Sequence, residues 1–315
     1  MNSVESRVSA QQNGPHLEGF ELPGTQTPSC PLCGAHDNAR RFSQRGYQLH
    51  VCHVCDLLFI NPYPTRESYQ AHEAQYDFDE IKILDPQRSY SSQVPYYDEF
   101  FPLIAEECKE AKAILDVGSG TGNLLERLAA IPFLHREGIE LNARRAEFAR
   151  QVAGCKIHEI PVEEYHSDRK YDVITMINVL SHIPSHDALF RSVHSLLQPK
   201  GKLILKVSEM REDVRRWDMP DWEIPDHLHF LGMGTIDFIC RKYGFKVSRR
   251  LRTAYADEFF SPRKWKQPGR SNLRNVVKHF VVGTLLALPL LRRSYDVCVG
   301  RRVFLSFIVL TLRPS

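Results

Sequence analysis

Ile114-Leu-Asp-Val-Gly-Ser-Gly-Thr-Gly-Asn123 is the stretch that decides how this chain folds. A short apolar run, Ala113 to Leu115, reaches an acid at Asp116, and glycines then alternate with small polar residues at Gly118, Gly120 and Gly122. Beyond them Leu124, Leu125 and Leu128 recur at helical spacing. That order predicts a buried strand, a tight turn and the opening of a helix, the place where an α/β sheet receives a nucleotide-like ligand. Glycine suits the turn because it accepts a positive φ and lets a ligand approach the backbone closely.

The turn is compatible with two chemistries. A dinucleotide fingerprint requires G-x-G-x-x-G, with pyrophosphate resting on the helix N-terminus. Counted from Gly118, the sixth position is Asn123, so the last glycine is missing. Asp116 would also repel a pyrophosphate, whereas an acid there suits a ligand carrying positive charge. These residues resemble the first motif of the class I S-adenosylmethionine-dependent methyltransferases, approximately L-D-x-G-x-G-x-G. The resemblance implies that Asp116, Gly118, Ser119, Gly120, Gly122 and Asn123 receive S-adenosylmethionine, with Asp116 holding its methionine end.

Further segments extend the resemblance. Gly138-Ile-Glu-Leu-Asn142 reads as a second strand ending in Glu140, about two dozen residues after Asp116, where an acid meets ribose hydroxyls. Glu140 and Leu141 are therefore expected at the cofactor; the alternative for Glu140 is a solvated capping acid. The family places residues beside the adenine at Pro161, Val162 and Glu163. Tyr171 to Asn178 resembles its fourth strand, with Asn178 at the pocket. Gly201 to Val207 reads as the fifth strand, entered through a turn at Leu197-Gln-Pro-Lys-Gly201. Repeated strand–helix–strand units imply a parallel, doubly wound sheet. The fold expected is α/β: a Rossmann-like, seven-stranded methyltransferase sheet with a small N-terminal zinc ribbon.

The ribbon rests on cysteine spacing. Cys30-Pro-Leu-Cys33 and Cys52-His-Val-Cys55 are two C-x-x-C pairs separated by 18 residues, inside the interval for a four-cysteine zinc site. Four thiolates would fill a tetrahedron, which makes the zinc structural. His53 reads as a knuckle side chain rather than a fifth ligand, and Cys108, Cys155, Cys240 and Cys298 as scattered buried thiols. Cys52 to Thr65 resembles the C-x-x-C-(apolar)-x-N-P-x-P segment of a bacterial subgroup of zinc-ribbon methyltransferases, whose members are associated with sugars, cell-surface glycans or natural products.

At 315 residues, 43% hydrophobic and 25% charged, the chain has the composition of a soluble globular protein with one catalytic domain and appendages. A net charge of +3 does not argue for nucleic acid, and only Arg40, Arg41 and Arg45 gather on the ribbon. The expected organisation is a loose tail at 1–25, the ribbon at 26–62, a helical cover at 63–112, and a core at 113–260 with a lid at 208–235. A C-terminal apolar helix and last strand follow at 261–315. In the cover, Tyr69, Tyr76, Phe78, Tyr90, Tyr96, Tyr97 and Phe100 read as packing before substrate stacking.

Val276 to Leu291 is too short to span a bilayer and contains Pro289. A helix packed on the domain or forming a homodimer face is favoured over an interfacial helix contacting anionic lipid. Cytoplasmic placement is expected, at the inner membrane only if that helix is interfacial. Phe304 to Leu312 reads as a final strand; in the resembling family it inserts antiparallel between the fifth and sixth, the sixth here being Phe245 to Leu251.

Methyl transfer from a sulfonium is an in-line displacement, and a hydroxyl acceptor must lose a proton. Histidine is the natural base near neutral pH. His182 aligns with the family's L-E-H segment, although Ser181 replaces the acid, and is expected at the cofactor pocket. His227 aligns with a second family histidine and is the favoured base or acceptor-positioning residue, with His229 next; bracing the lid is the competing role for His227. Trp217, Met219, Pro220 and Trp222 compose an apolar lid, while Arg211, Arg215 and Arg216 would meet an acceptor phosphate or simply face solvent. The function expected is methyl transfer to a small-molecule or glycan-type acceptor, at oxygen. Two rivals are an RNA base methyltransferase, and a non-catalytic cofactor-binding scaffold whose ribbon docks partners.

Overall fold

The computed structural model describes residues 27–65, 86–219, 221–254 and 302–313. The tail at 1–25, the segment 276–291, Cys298 and Pro220 lie outside the described residues, as do Tyr69, Tyr76 and Phe78. Among the described residues, no helix is long and apolar enough to cross a membrane.

The glycine turn sits as its sequence requires. Strand β4 (Ala113–Val117) is buried along its whole length. It pairs in parallel with β5 (His135–Ile139) on one side and β7 (Tyr171–Ile177) on the other. Strands covered on both faces run near-continuously apolar rather than alternating, as Val173-Ile-Thr-Met-Ile177 does apart from Thr175. Beyond β5 lies the short β6 (Lys156–His158), and beyond β7 lies β8 (Leu197–Met210). The turn read at Leu197–Gly201 is instead part of β8. Its pairing to β7 jumps from Tyr171↔Leu197 to Val173↔Lys202, so Gln198-Pro-Lys-Gly201 is a bulge that the strand absorbs.

Strand β11 (Val303–Leu312) lies antiparallel between β8 and β10 (Phe245–Ala254). The order through this part is β6-β5-β4-β7-β8-β11-β10. The sheet does not stop at these seven. Strand β9 (His229–Gly232) pairs in parallel with the far end of β8, at Glu209↔Leu231 and Met210↔Gly232. To it are added β3 (Leu58–Asn61), β2 (Tyr47–Cys52) and β1 (Asn38–Gln44), giving 11 strands. The expectation of a seven-stranded sheet with a separate ribbon is corrected on this point. Strand β8, at 14 residues, outruns β7, and its free edge takes up β9 and through it the cysteine segment.

Packing agrees with that continuity. Cys30, Leu32, Cys52, Cys55, Leu57 and Phe59 share one apolar core with Leu115, Ile174, Leu205 and Ile308. Gly232 marks the contact: a Cβ there would fall 1.8 Å from the Asp56 carbonyl oxygen. The Asp56 carboxylate in turn accepts from Gly234 N–H at 2.8 Å.

Helix α1 (Pro86–Glu107) carries Tyr97, Phe100 and Ile104 into the core beneath β4 and β7. Helix α2 (Asn123–Arg127) follows the glycine turn. Helix α3 (Ala143–Ala153) is capped by the Asn142 side chain, which accepts from Arg145 N–H, and ends on Gly154 in the left-handed region. Its buried face is Ala146, Ala149 and Ala153, small enough to come close to Gly122. Helices α4 (His186–Leu196) and α5 (Thr235–Tyr243) bury Leu189, Phe190, Val193 and Leu196, and Ile236 and Ile239, on the other face. Midway along β5, Glu137 accepts from Tyr165 and Tyr171 at 3.0 and 3.1 Å and meets His135 and His158 at 2.6 and 2.7 Å.

The segment 208–235, expected as a lid, is packed into the structure. It runs from β8 through a short turn of 3-10 helix at Arg216–Asp218 to β9. Trp222 is 1% exposed, edge-on to Phe42 and Phe230, and its Nε1 donates to the Arg216 carbonyl. Arg45 of the ribbon donates to Asp221 and to the Ile224 carbonyl. Among the described large apolar side chains of this wall, Trp217, at 73% exposed, stands out into solvent. Arg211 and Arg215 pair with Asp213 and Asp218, so neither is an open phosphate-binding cation.

Candidate active site

Asp116 lies at the ligand-receiving end of β4 and is 2% exposed. Thr175, opposite it on β7, donates from Oγ1 to Asp116 Oδ1 at 2.6 Å. Asp116 Oδ2 is buried and unpartnered. Burial pushes this carboxyl up to about 7, against the pull of the Thr175 hydrogen bond and with a further push from the Glu140 charge. A buried carboxylate with an open oxygen is completed by a cation.

The glycine turn wraps around this acid. Gly118 and Ser119 N–H groups both donate to the Ile139 carbonyl, at 2.8 and 2.9 Å. Gly120 N–H donates to Glu140 Oε2 and Asn142 N–H to Oε1, each at 2.9 Å, which fixes the Glu140 carboxylate across the turn. Burial pushes the Glu140 carboxyl up, while those N–H groups and Arg145 pull it back. Gly118 has φ +71, and a Cβ on it would stand 2.3 Å from Val179 Cγ2. Gly122, at φ +81, would meet the Ala149 backbone at 3.1 Å. Neither position has room for a side chain.

Helix α1 covers the turn. Asn123 Nδ2 donates to the Tyr90 carbonyl at 3.2 Å, and Thr121 Oγ1 donates to Gln93 Oε1 at 3.3 Å. Tyr97 is buried above Asp116 and Glu140, and burial raises its hydroxyl pKa. Ser119 Oγ and Asn123 Oδ1 join Asp116 Oδ2 as buried atoms without partners. Buried polar atoms are nearly always hydrogen-bonded, so three in one turn mark a place made for a polar ligand.

The other residues expected at a cofactor lie just beyond the C-terminal ends of β5, β6 and β7. Leu141, 52% exposed, follows β5 next to Glu140. Pro161 and Glu163 are half-buried after β6, and Val162 is buried, its carbonyl accepting from Ser192 Oγ. Asn178 ends β7 exposed, at φ +57, with its N–H donating to the Lys206 carbonyl.

Val179, which touches Gly118, begins the short 3-10 turn that carries His182. The loop before β9 is joined to this turn by Leu228 N–H donating to the Ser181 carbonyl at 2.9 Å. It brings His227 beside His182, ring centroids 4.7 Å apart, and Asp226 Oδ2 to 3.5 Å from His182 Nδ1. His227 Nε2 lies 3.7 Å from Glu223, while its Nδ1 is buried without a partner. Burial, helped by the neighbouring His182, pulls the His227 imidazole down to about 4. His229 stands apart from this group. It is 0% exposed, with Nε2 3.2 Å from His186 and Nδ1 3.4 Å from the Tyr63 hydroxyl. With both ring nitrogens engaged in the core, it is not placed to act as a base, which corrects its ranking after His227.

The cysteines converge at the other end of this wall. Cys30, Cys33, Cys52 and Cys55 have their sulfurs within 4.8 Å of one another, with Cys30–Cys55 and Cys33–Cys52 each at 3.5 Å. The backbone forms two equivalent knuckles, Gly34 N–H donating to the Cys30 carbonyl and Asp56 N–H to that of Cys52. None of the four is in a disulfide. The hydrogen bond with Cys55 holds the Cys30 thiol down at about 6, and burial lifts Cys52 to about 11. Sulfurs 2.3 Å from a tetrahedral ion stand about 3.8 Å apart, close to this spacing. His53 points to Asp37 at 2.8 Å rather than to the sulfurs. Among the other cysteines, Cys108 and Cys240 are buried and Cys155 half-buried.

Several residues of the site carried no signal in the sequence. Thr175 is one polar residue in an apolar strand, and Gln93 is an unmarked polar residue in the expected helical cover, where Tyr90 also lies. Asp226 is one of several acids near the tryptophans in sequence.

Comparison with known proteins bears on this region. A family model described as a methyltransferase domain matches residues 90–249. The ubiquinone biosynthesis O-methyltransferase of Haemophilus ducreyi is 33% identical over 105 residues, 30% of this chain and 44% of that protein. That of Histophilus somni is 31% identical over 138 residues, 40% and 57% respectively. The chain thus spans about half the length of the curated relatives it matches. A solved O-methyltransferase from a trans-AT polyketide synthase multienzyme of Brevibacillus brevis, in complex with S-adenosyl-L-homocysteine, is 17% identical. It covers 74% of this chain and 79% of its own, with a TM-score of 0.49. The family match runs from α1 into β10, takes in Asp116, Glu140 and both histidines of the site, and covers just over half of the sequence. The chain belongs to the methyltransferase-domain family of enzymes.

Proposed function

We propose that the chain transfers the methyl group of S-adenosylmethionine to a hydroxyl of a small-molecule or glycan-type acceptor. The observation that carries this reading is Asp116: a buried carboxylate with one oxygen open, at the turn where the fold receives its ligand. The ammonium or sulfonium of S-adenosylmethionine supplies the missing cation, and Glu140 can accept from the ribose hydroxyls with the lone pairs its backbone donors leave free. Leu141, Pro161, Val162 and Glu163 would flank the adenine, and Asn178 and His182 would border the methionine end.

The relatives are named as O-methyltransferases, which favours oxygen as the atom methylated. The acceptor would enter beside His182, Asp226 and His227, with His227 positioning or deprotonating its hydroxyl. Four thiolates leave no open position on an ion at Cys30, Cys33, Cys52 and Cys55, so zinc there would be structural and would serve the sheet it extends.

The test is incubation with methyl-labelled S-adenosylmethionine and cell extract fractionated into small-molecule, sugar-nucleotide, lipid, protein and RNA pools. Label in the small-molecule or sugar-nucleotide pool is expected. Label in RNA would overturn the reading in favour of a base methyltransferase. Cofactor binding with label nowhere would identify a scaffold.

A further inference from the structure

We infer that His182, Asp226 and His227 form a second metal site, which holds a divalent first-row transition ion at the mouth of the methyl-donor pocket and receives the acceptor hydroxyl. The inference rests on the proposed methyl transfer and specifies how the acceptor is held.

The three residues come from two loops that the fold holds together. His182 ends the 3-10 turn after β7, and Asp226 and His227 lie in the loop before β9. The Leu228-to-Ser181 backbone hydrogen bond ties the loops, and Ile60 N–H of β3 donates to the Leu228 carbonyl at 3.0 Å, fastening them to the ribbon. One donor atom from each residue lies within 4.8 Å of the others. Donors about 2.1 Å from a tetrahedral ion stand roughly 3.4 Å apart, and His182 Nδ1 to Asp226 Oδ2 is already 3.5 Å.

A second observation points to a ligand: His227 Nδ1 is buried without a hydrogen-bond partner. A packed imidazole normally engages both nitrogens, as His229 does. Two imidazoles and one carboxylate select zinc, cobalt, iron or manganese over magnesium or calcium, which prefer all-oxygen sites. Three protein donors leave at least one coordination position open, as in catalytic rather than structural sites.

That position suits an acceptor oxygen. The ion's charge lowers the hydroxyl's pKa, and its proton leaves to water. The oxygen lone pair then forms the C–O bond while the methyl C–S bond breaks and its electron pair stays on sulfur, giving the neutral thioether. On this reading His227 acts as a ligand that positions the acceptor, and the ion takes the place of a free imidazole base.

The test is cobalt(II) titration of the full chain, its cysteine site first filled with one equivalent of zinc, followed by calorimetry and visible absorption. One further cobalt per chain is expected, with weak d–d bands and none of the intense sulfur-to-cobalt bands that occupancy of the cysteines would give. Asp226→Asn and His182→Ala should weaken that binding by at least about tenfold, while His53→Ala, on the exposed ribbon surface, leaves it unchanged. S-Adenosylhomocysteine binding measured in the same variants shows whether the donor pocket is intact. Absence of bound cobalt in the zinc-loaded parent protein overturns the inference, as does cobalt bound equally by Asp226→Asn and His182→Ala. Neither result touches the labelling experiment, so failure of this site and failure of the methyl-transfer reading are distinguishable.

Discussion

Replacing Asp116 by asparagine should make the unliganded protein more stable and the liganded one less so. A carboxyl held at about 7 against its ordinary 3.8 favours its neutral form by roughly 4 kcal/mol. Because the folded-state pKa is raised, the native state binds the proton more tightly than the unfolded chain does. Stability from this group is therefore full below pH 3.8 and is lost as pH rises through 7. Asparagine removes that loss. Its Oδ1 can still accept from Thr175, but its amide N–H groups enter the space beside the open Oδ2 with no acceptor, at a cost of about 1–3 kcal/mol. The net expectation at pH 8 is a gain of roughly 2 kcal/mol, shrinking and then reversing as pH falls toward 4. Ligand binding should move the other way. A cation about 4 Å from a carboxylate at an effective dielectric of 20 is worth roughly 4 kcal/mol, so affinity should fall by about a hundredfold or more. The assay is urea denaturation of both proteins at pH 5 and pH 8, with and without S-adenosylhomocysteine, which keeps the ammonium and lacks the sulfonium. If the two proteins differ equally at both pH values, Asp116 is not a strained buried acid. If the variant is stabilised by ligand as much as the parent is, Asp116 does not face the cation.

Three further outcomes follow from the same geometry. Gly118→Ala should cost roughly 2–4 kcal/mol in thermal denaturation, because it adds a Cβ 2.3 Å from Val179 at positive φ; Gly154→Ala, at φ +60 with nothing within 4 Å, should cost only about 1–2. Cys52→Ser should reduce bound zinc, measured by elemental analysis, from about one per chain to none, and should lower the melting temperature of the whole protein; zinc-free parent protein would refute the assignment. Glu137 is pushed up by burial but held down at about 2 by its hydrogen bonds to His135, His158, Tyr165 and Tyr171, so its stabilisation should be lost as pH falls from about 4.5 through 2. Glu137→Gln should flatten that acid limb in a pH series of denaturant midpoints, and an unchanged limb would show that other carboxylates govern it.

The parts of this molecule that could be read from sequence are those where local chemistry and global fold agree. The run before Asp116 is apolar because β4 is covered on both faces, and the glycines recur because Val179 and Ala149 press against them. The cysteine pairs were legible because ligand spacing is itself local. What escaped was set by contacts between distant segments. His229-Phe-Leu-Gly232 is four residues with no strand-like alternation, and it becomes β9 because Leu58 and Phe59 pair with it and Met210 continues past β7. Gln198 to Gly201 has the composition of a turn, and the parallel neighbour turns it into a bulge. His229 resembles His227 in sequence, yet entering a strand swings it into the interior against His186 and Tyr63. Thr175 and Asp226 gain their importance only from the acid or imidazole that the sheet sets opposite them.

The position of β11 bears on how the protein is made. Residues 303–312 lie between β8 and β10, pairing Val303 with Met210 and Phe245 with Leu312, so the sheet is joined across a gap that only late-synthesised chain can fill. A ribosome that has delivered the glycine turn, both histidine loops and β10 has still produced two unpaired strand edges, at β8 and at β10. Those edges are templates for pairing with other chains. Premature termination or proteolysis before residue 303 would leave every residue of the proposed site in place and yet yield a protein prone to aggregate, so solubility, rather than ligand affinity, would be the first property lost.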